Sequence, residues 1–176
     1  MYGRGKVASL IQAILSKDDA MLAILLQDGK LAAYASSTSI FKNNISPLAK
    51  DNPTILIHIA TKFGTAKAVE ALLKKDTDNK TINARGKYNG QFYETPLLMA
   101  ISRLLNYHSS KMGEDQIKDI QNMITVLINQ GVMQHIPNNN HGKEPLGMLQ
   151  HMKNDQYIKP IYDLIAKEVG RHTTET

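Results

Sequence analysis

Apolar positions in this chain come in paired clusters, and the tightest pair lies in residues 55–73, ILIHIATKFGTAKAVEALL. Ile55, Ile57, Ile59 and Ala60 form a first apolar segment, which Gly64 interrupts. Ala68, Val69, Leu72 and Leu73 then fall at i, i+1, i+4 and i+5, the spacing of one helix face. Two short helices joined by a glycine turn are predicted. Such a hairpin cannot bury both of its faces alone, so further helices are expected on either side of it.

The same rhythm recurs along the chain. Leu10, Ile11, Ala13 and Ile14 predict a helix, Ser16-Lys17-Asp18 a turn, and Met21, Leu22, Leu25 and Leu26 a second helix closed by Gly29 at its C′ position. Residues 30–53 read as a short extra helix over 31–34 and then a loop marked by Ser36-Ser37-Thr38-Ser39, Asn43-Asn44 and Pro47. Residues 76–80 are polar and turn-like. Thr95 is a predicted N-cap with Pro96 at the first helical position. Residues 102–116 interrupt the third cluster, and within them 106–116 is expected to be a mobile surface excursion. Ile117, Ile120, Ile124, Leu127 and Ile128 resume a helix face, with Gly131 as its stop. Tyr157, Ile161, Leu164 and Ile165 supply the last face, where Pro160 is expected to bend or delay the helix. Residues 171–176 read as a frayed tail.

Several of these positions together resemble the ankyrin repeat. His58 and Ala60 fall where the T-P-L-H-x-A signature has its His and Ala, and Gly64 and Leu72-Leu73 where it has its turn glycine and paired leucines. Thr95-Pro96-Leu97 is the best literal match, with Leu98 in place of the His and Ala100 in register. Glu144-Pro145-Leu146 stands for T-P-L in the last unit, with Gly147 and Leu149 replacing the His and Ala. Ile82-Asn83-Ala84 resembles the approach to an ankyrin finger, and residues 85–93 would be that finger. The resemblance implies an all-α solenoid of stacked helical hairpins with insertions. Its units would be about 6–29, 52–78, 94–133 and 143–168, against a period of about 33 residues in the family. The first unit lacks Thr-Pro, as suits an end repeat.

Composition narrows the function. The chain has 176 residues, 42% hydrophobic and 21% charged, which is enough for one domain with a real core. It has no cysteine, which removes disulfides, thiolate zinc sites and cysteine nucleophiles and suits a reducing or cytoplasmic compartment. A net charge of +5 arises from 21 basic and 16 acidic residues that are scattered, so solubility explains it better than nucleic acid does. No apolar run approaches the roughly 18–20 residues of a membrane span. The run from Val7 to Leu15 is broken by Gln12 and lacks a cleavage pattern, so no signal peptide is expected.

Candidate chemistry is sparse. No nucleophile elbow, phosphate loop or dinucleotide fingerprint occurs, and Tyr2-Gly3-Arg4-Gly5-Lys6 reads as a flexible terminus. His135, His141 and His151 lack metal-ligand spacing, so neither metal nor cofactor is expected. His58 has a structural role in the resemblance. Glu114-Asp115 suits the positive end of the helix that follows.

The resemblance implies protein–protein binding rather than catalysis. In ankyrin proteins the finger and the two residues before the turn glycine face the partner. These positions are Lys62 and Phe63, Ser102 and Arg103, and His151 and Met152, joined by finger residues Lys87, Tyr88, Phe92 and Tyr93. The basic members suit an acidic segment of a partner protein. A monomer is expected. Small ankyrin proteins of this kind also resemble effectors that intracellular bacteria secrete, which would place this one in a host-cell cytoplasm. Two alternatives are a nucleic-acid surface around Lys80-Arg85-Lys87-Tyr88 and a non-catalytic regulatory subunit of an enzyme.

Overall fold

A computed structural model describes residues 3–33, 56–77, 81–84, 87–88, 91–92, 94–131 and 144–174. The loop expected at 36–44, Lys80, Arg85, Tyr93, Asn138–Asn140, His135 and His141 lie outside the described residues.

The first helices are α1 (Gly3–Leu15) and α2 (Asp19–Leu25), joined at Ser16-Lys17-Asp18. Lys17 adopts φ 57°, a left-handed conformation that costs a non-glycine residue energy but reverses the chain within one turn. Asp18 then caps α2, its carboxylate accepting from the Met21 N–H at 2.9 Å. Asp28 caps a four-residue helix, α3 (Gly29–Ala32), in the same way.

The central hairpin is α4 (Leu56–Phe63) and α5 (Ala66–Leu73). Every residue from Leu56 to Thr61 is buried, so α4 is covered on all sides. After it come a small antiparallel hairpin of β1 (Lys87–Tyr88) and β2 (Gln91–Phe92), with Lys87 opposite Phe92 and Tyr88 opposite Gln91. The remaining elements are α6 (Pro96–Leu105), α7 (Glu114–Asn129), α8 (Pro145–Leu149), a 3-10 turn over Gln150–Met152, and α9 (Lys159–Thr174).

Two helical layers result. In one, α1 packs on α4, α4 on α6 and α6 on α8; in the other, α2 packs on α5, α5 on α7 and α7 on α9. Helices also pair between layers, α1 with α2, α4 with α5, α6 with α7 and α8 with α9. One apolar cluster runs from Val7 to Ile165 through both layers. The fold is all-α apart from the β1–β2 hairpin, and among the described residues no helix is long and apolar enough to cross a membrane.

The structure departs from the sequence reading in several places. Gly29 does not close α2 but opens α3, which covers 29–32 in place of the extra helix expected over 31–34. The segment read as a flexible terminus is already helical from Gly3, and α9 runs to Thr174 through most of the expected tail. Pro160 delays the last helix, sitting in its first turn, where a missing N–H costs nothing. Gly131 closes α7 with φ 85°, as read.

The largest difference lies in 106–116. Tyr107 is buried and Met112 packs against the core. The Tyr107 hydroxyl donates to Asp155 at 2.5 Å, tying the α6–α7 connection to the turn before α9. Asp155 also accepts the N–H groups of Tyr157 and Ile158, and the Tyr157 ring meets Tyr107 edge-on at 5.3 Å. The segment is polar in composition, but one aromatic anchor fixes it.

Candidate functional site

The best-defined candidate surface is built around the turn between α4 and α5, where Lys62 and Phe63 precede Gly64. Gly64 is required there by close approach. A Cβ would sit 2.8 Å from the Ala60 carbonyl oxygen and 3.1 Å from Ile14 Cγ2 on α1. Its N–H donates to that same Ala60 carbonyl at 2.8 Å, ending α4. Thr65 opens α5, accepting the Ala68 N–H at 3.1 Å and donating its hydroxyl to Asp19 of α2 at 2.6 Å.

Charges from neighbouring helices complete the turn. The Arg103 guanidinium, from α6, donates to the Thr61 carbonyl in the last turn of α4, where carbonyls have no partner within the helix. Asp119, from α7, accepts the Ala66 N–H in the first turn of α5 at 3.1 Å. A cation thus stands at the negative end of α4 and an anion at the positive end of α5, each favourable to its helix dipole. Burial lowers the Arg103 pKa, and the charge of Asp119 opposes that shift. Three helices from two neighbouring pairs therefore hold one turn.

On this clamped turn Phe63 is 37% exposed, and the Lys62 ammonium lies 5.3 Å from its ring centroid. Lys62 is exposed as well. The expected partner face of the next unit is different. Arg103 is directed inward to Thr61 and Asp119, with Nη1 3.9 Å from Met123 Sδ, and Ser102 donates to Glu94 at 3.0 Å. The physical reason is helix length. α4 ends at Phe63, whereas α6 continues past Arg103 to Leu105, so 102–103 lie within the body of a helix packed on α4, α7 and α8.

In the last unit His151 is exposed in the 3-10 turn, while Met152 is half-buried against the core and so is not presented as an open contact. Lys87, Tyr88 and Phe92 stand on the two strands of the finger hairpin. The predicted residues therefore do not form one continuous set. Lys62, Phe63 and His151 face outward, Arg103 supports the turn from within, and Met152 joins the core margin.

His58 and the base of the finger form a second polar feature. The imidazole is buried between apolar neighbours, and neither ring nitrogen has a hydrogen-bond partner among the described residues. Burial lowers its pKa to about 4, although backbone groups of Ala84 and Glu94, at the two ends of the finger, favour the charged form. Thr95 Oγ1 is likewise buried without a partner, so Thr95 occupies the N-cap position of α6 without making the side-chain bond expected of it.

At the other connection, burial first, then the hydrogen bond to and charge of Asp155, raise the Tyr107 phenol to about 12. Desolvation would raise the Asp155 carboxyl, but the bonds from Tyr107, Tyr157 and Ile158 outweigh it and lower its pKa. His108 Nε2 lies 3.9 Å from Asp155, on the solvent side. This cluster positions chain segments. Among the described residues no group of three or more His, Cys, Asp or Glu side chains is placed to hold a metal.

Comparison with other proteins adds no identification: no family model and no curated protein sequence matches the chain.

Proposed function

We propose that the chain is an ankyrin-like solenoid that binds a partner protein at the end of α4, with Phe63 as apolar anchor and Lys62 as its cationic neighbour. The two layers in strict alternation, and the hairpin of short strands between α5 and α6, support the solenoid reading. The observation that carries the binding reading is the exposure of Phe63 on a turn fixed by Asp19, Arg103 and Asp119. An aromatic held on rigid backbone loses little freedom on binding, which is the property of interface anchors. Lys62 favours a partner segment with an acidic residue beside an apolar one. Arg103 acts in this proposal through the backbone it holds.

Replacing Phe63 by a photoreactive benzoylphenylalanine tests this reading in cell extract. A discrete protein adduct at position 63, absent when the same group replaces exposed Lys118 on α7, is the expected result. Identical adduct patterns at both positions would remove the basis for the site.

A further inference from the structure

The connections inside successive helix pairs lie side by side along one edge of the molecule. The Thr65 hydroxyl reaches Asp19 at 2.6 Å, which sets the α4–α5 turn beside the α1–α2 turn. The Ala66 N–H donates to Asp119 at 3.1 Å, which brings in the start of α7. The Tyr107 bond to Asp155 sets the α6–α7 connection beside the turn before α9. Each of these connections carries one lysine, and Lys17, Lys62, Lys111 and Lys153 are all exposed.

Backbone conformation singles out two of them. Among the described residues, Lys17 at φ 57° and Lys111 at φ 49° are the non-glycine residues with positive φ. Both close a turn with the same pair of bonds. The Asp18 N–H donates to the Ala13 carbonyl at 2.9 Å and the Lys17 N–H to Ile14 at 3.1 Å. Met112 and Lys111 donate in the same way to Tyr107 at 3.1 Å and His108 at 3.2 Å. Glycine suits this left-handed position best, and Gly131 fills it after α7, at the opposite edge. The backbone would be better served by glycine at 17 and 111 also. Strain of this kind is kept where a side chain has a task of its own.

The acids of the edge are turned to the protein. Asp18 accepts the Met21 N–H, Asp19 the Thr65 hydroxyl, Asp119 the Ala66 N–H and Asp155 the Tyr107 hydroxyl. Glu114 pairs with Lys118 at 3.4 Å. Among the described residues, Lys17, Lys111 and Lys153 make no ion pair. A ligand lying along the edge therefore meets ammonium groups before carboxylates.

We infer that this edge binds an extended acidic segment of a partner protein, with an acidic residue at every third position. It extends the surface proposed at Phe63 and rests on that reading. Neighbouring helices of a layer lie about 8–10 Å apart, so the lysines recur at about that interval. A polyproline II segment has about three residues per turn and rises about 3.1 Å per residue, so every third side chain returns to one face after about 9 Å. On a β-strand the same face recurs after about 7 Å, and the phosphates of duplex DNA follow at about 3.4 Å per strand, both out of step with the row. Phe63, next to Lys62, then takes an apolar residue beside one of the acids.

A peptide of repeated Glu-Pro-Pro, which holds the polyproline II form, is the probe. Titrated at low salt and followed by heteronuclear NMR, it is expected to shift the amides around Lys17, Lys62, Lys111 and Lys153, with a dissociation constant of about 1 mM. The triple variant Lys17→Gly, Lys111→Gly, Lys153→Ser is expected to bind about tenfold more weakly. It is also expected to melt no lower than the parent, since glycine relieves the left-handed backbone. Absence of shifts at these turns overturns the proposal, as does a triple variant that binds like the parent. A triple variant that melts early would show that the lysines serve the fold, and overturns it too. Equal binding by a Glu-Pro repeat would overturn the three-residue spacing, and tighter binding by oligothymidylate at the same salt would assign the edge to nucleic acid instead. Failure of the peptide while adducts at position 63 persist overturns the lysine row alone, whereas loss of those adducts while the peptide binds overturns the Phe63 anchor alone.

Discussion

Arg103→Ala is the substitution that separates a surface residue from a supporting one. Had Arg103 faced a partner, its removal would leave stability within about 0.5 kcal/mol, as surface changes do. In the structure the guanidinium donates to the Thr61 carbonyl and lies in the field of Asp119. A hydrogen bond from a charged donor contributes roughly 1.5–3 kcal/mol. Because Arg103 is only half-buried, the lower end applies to the bond, and the attraction to Asp119 adds about 0.5 kcal/mol. Loss of both gives about 2 kcal/mol, or a fall in melting temperature of about 4–8 °C for a chain of this size. Thermal and urea melts followed by circular dichroism read this directly. Asp119→Ala removes the anion at the start of α5 and is expected to cost about 1 kcal/mol. The double variant is expected to cost less than the sum by at least about 0.5 kcal/mol, since the two charges share one turn. An Arg103→Ala protein melting within about 1 °C of the parent would show that the clamp contributes nothing, and additivity would show that the two charges act separately.

Other expectations follow from burial and from the titrating groups. Leu72 is 1% exposed, so Leu72→Ala is expected to cost about 2–5 kcal/mol in urea unfolding; a cost below roughly 0.5 kcal/mol would place that side chain at the surface. His58 has a pKa lowered to about 4 in the folded state, so the unfolded chain binds its proton first as pH falls. Its contribution is intact above about pH 6.5 and is lost between there and about pH 4, amounting to about 2 kcal/mol between pH 7 and pH 5. His58→Leu is expected to flatten that part of the stability profile, and an unchanged slope would mean that another group titrates. Tyr107→Phe removes the bond to Asp155 and is expected to cost about 1–2 kcal/mol, with new protease cleavage at 106–112. Cleavage at those bonds in the parent before any other site would contradict the anchoring role.

The helices were legible in the sequence because apolar spacing reports directly on which side of a helix faces the core. Ile117, Ile120, Ile124, Leu127 and Ile128 all fall where that spacing puts them, and so do Leu72 and Leu73. Lys62 and Phe63 were legible as exposed positions because a glycine ends α4 immediately after them. What holds their turn was not legible. Thr65 meets Asp19 across 46 residues, Ala66 meets Asp119 across 53, and Tyr107 meets Asp155 across 48. Thr65, Asp19, Asp119 and Asp155 carry polar side chains that read as solvated in one dimension. Only the packing of α2, α5, α6 and α7 brings the acids to the helix ends. Arg103 was misplaced for the same reason, since a long cationic side chain near the end of a helix fits a partner's acid and a neighbour's carbonyl equally well. Helix α3 was misplaced because Gly29 suits the stop of one helix and the start of another, and Asp28 as its cap decides the matter.

The central claim is that Phe63 anchors a partner protein on a rigid turn. Isothermal titration of the protein crosslinked through position 63, against the parent and Phe63→Ala, tests it most directly. Removing the ring is expected to weaken binding by tenfold or more, about 1.4 kcal/mol, while the melting temperature stays within about 1 °C of the parent. Equal affinities for the two proteins would contradict the account. A Phe63→Ala protein that melts well below the parent would contradict it too, by placing Phe63 in the packing of the turn instead of on its surface.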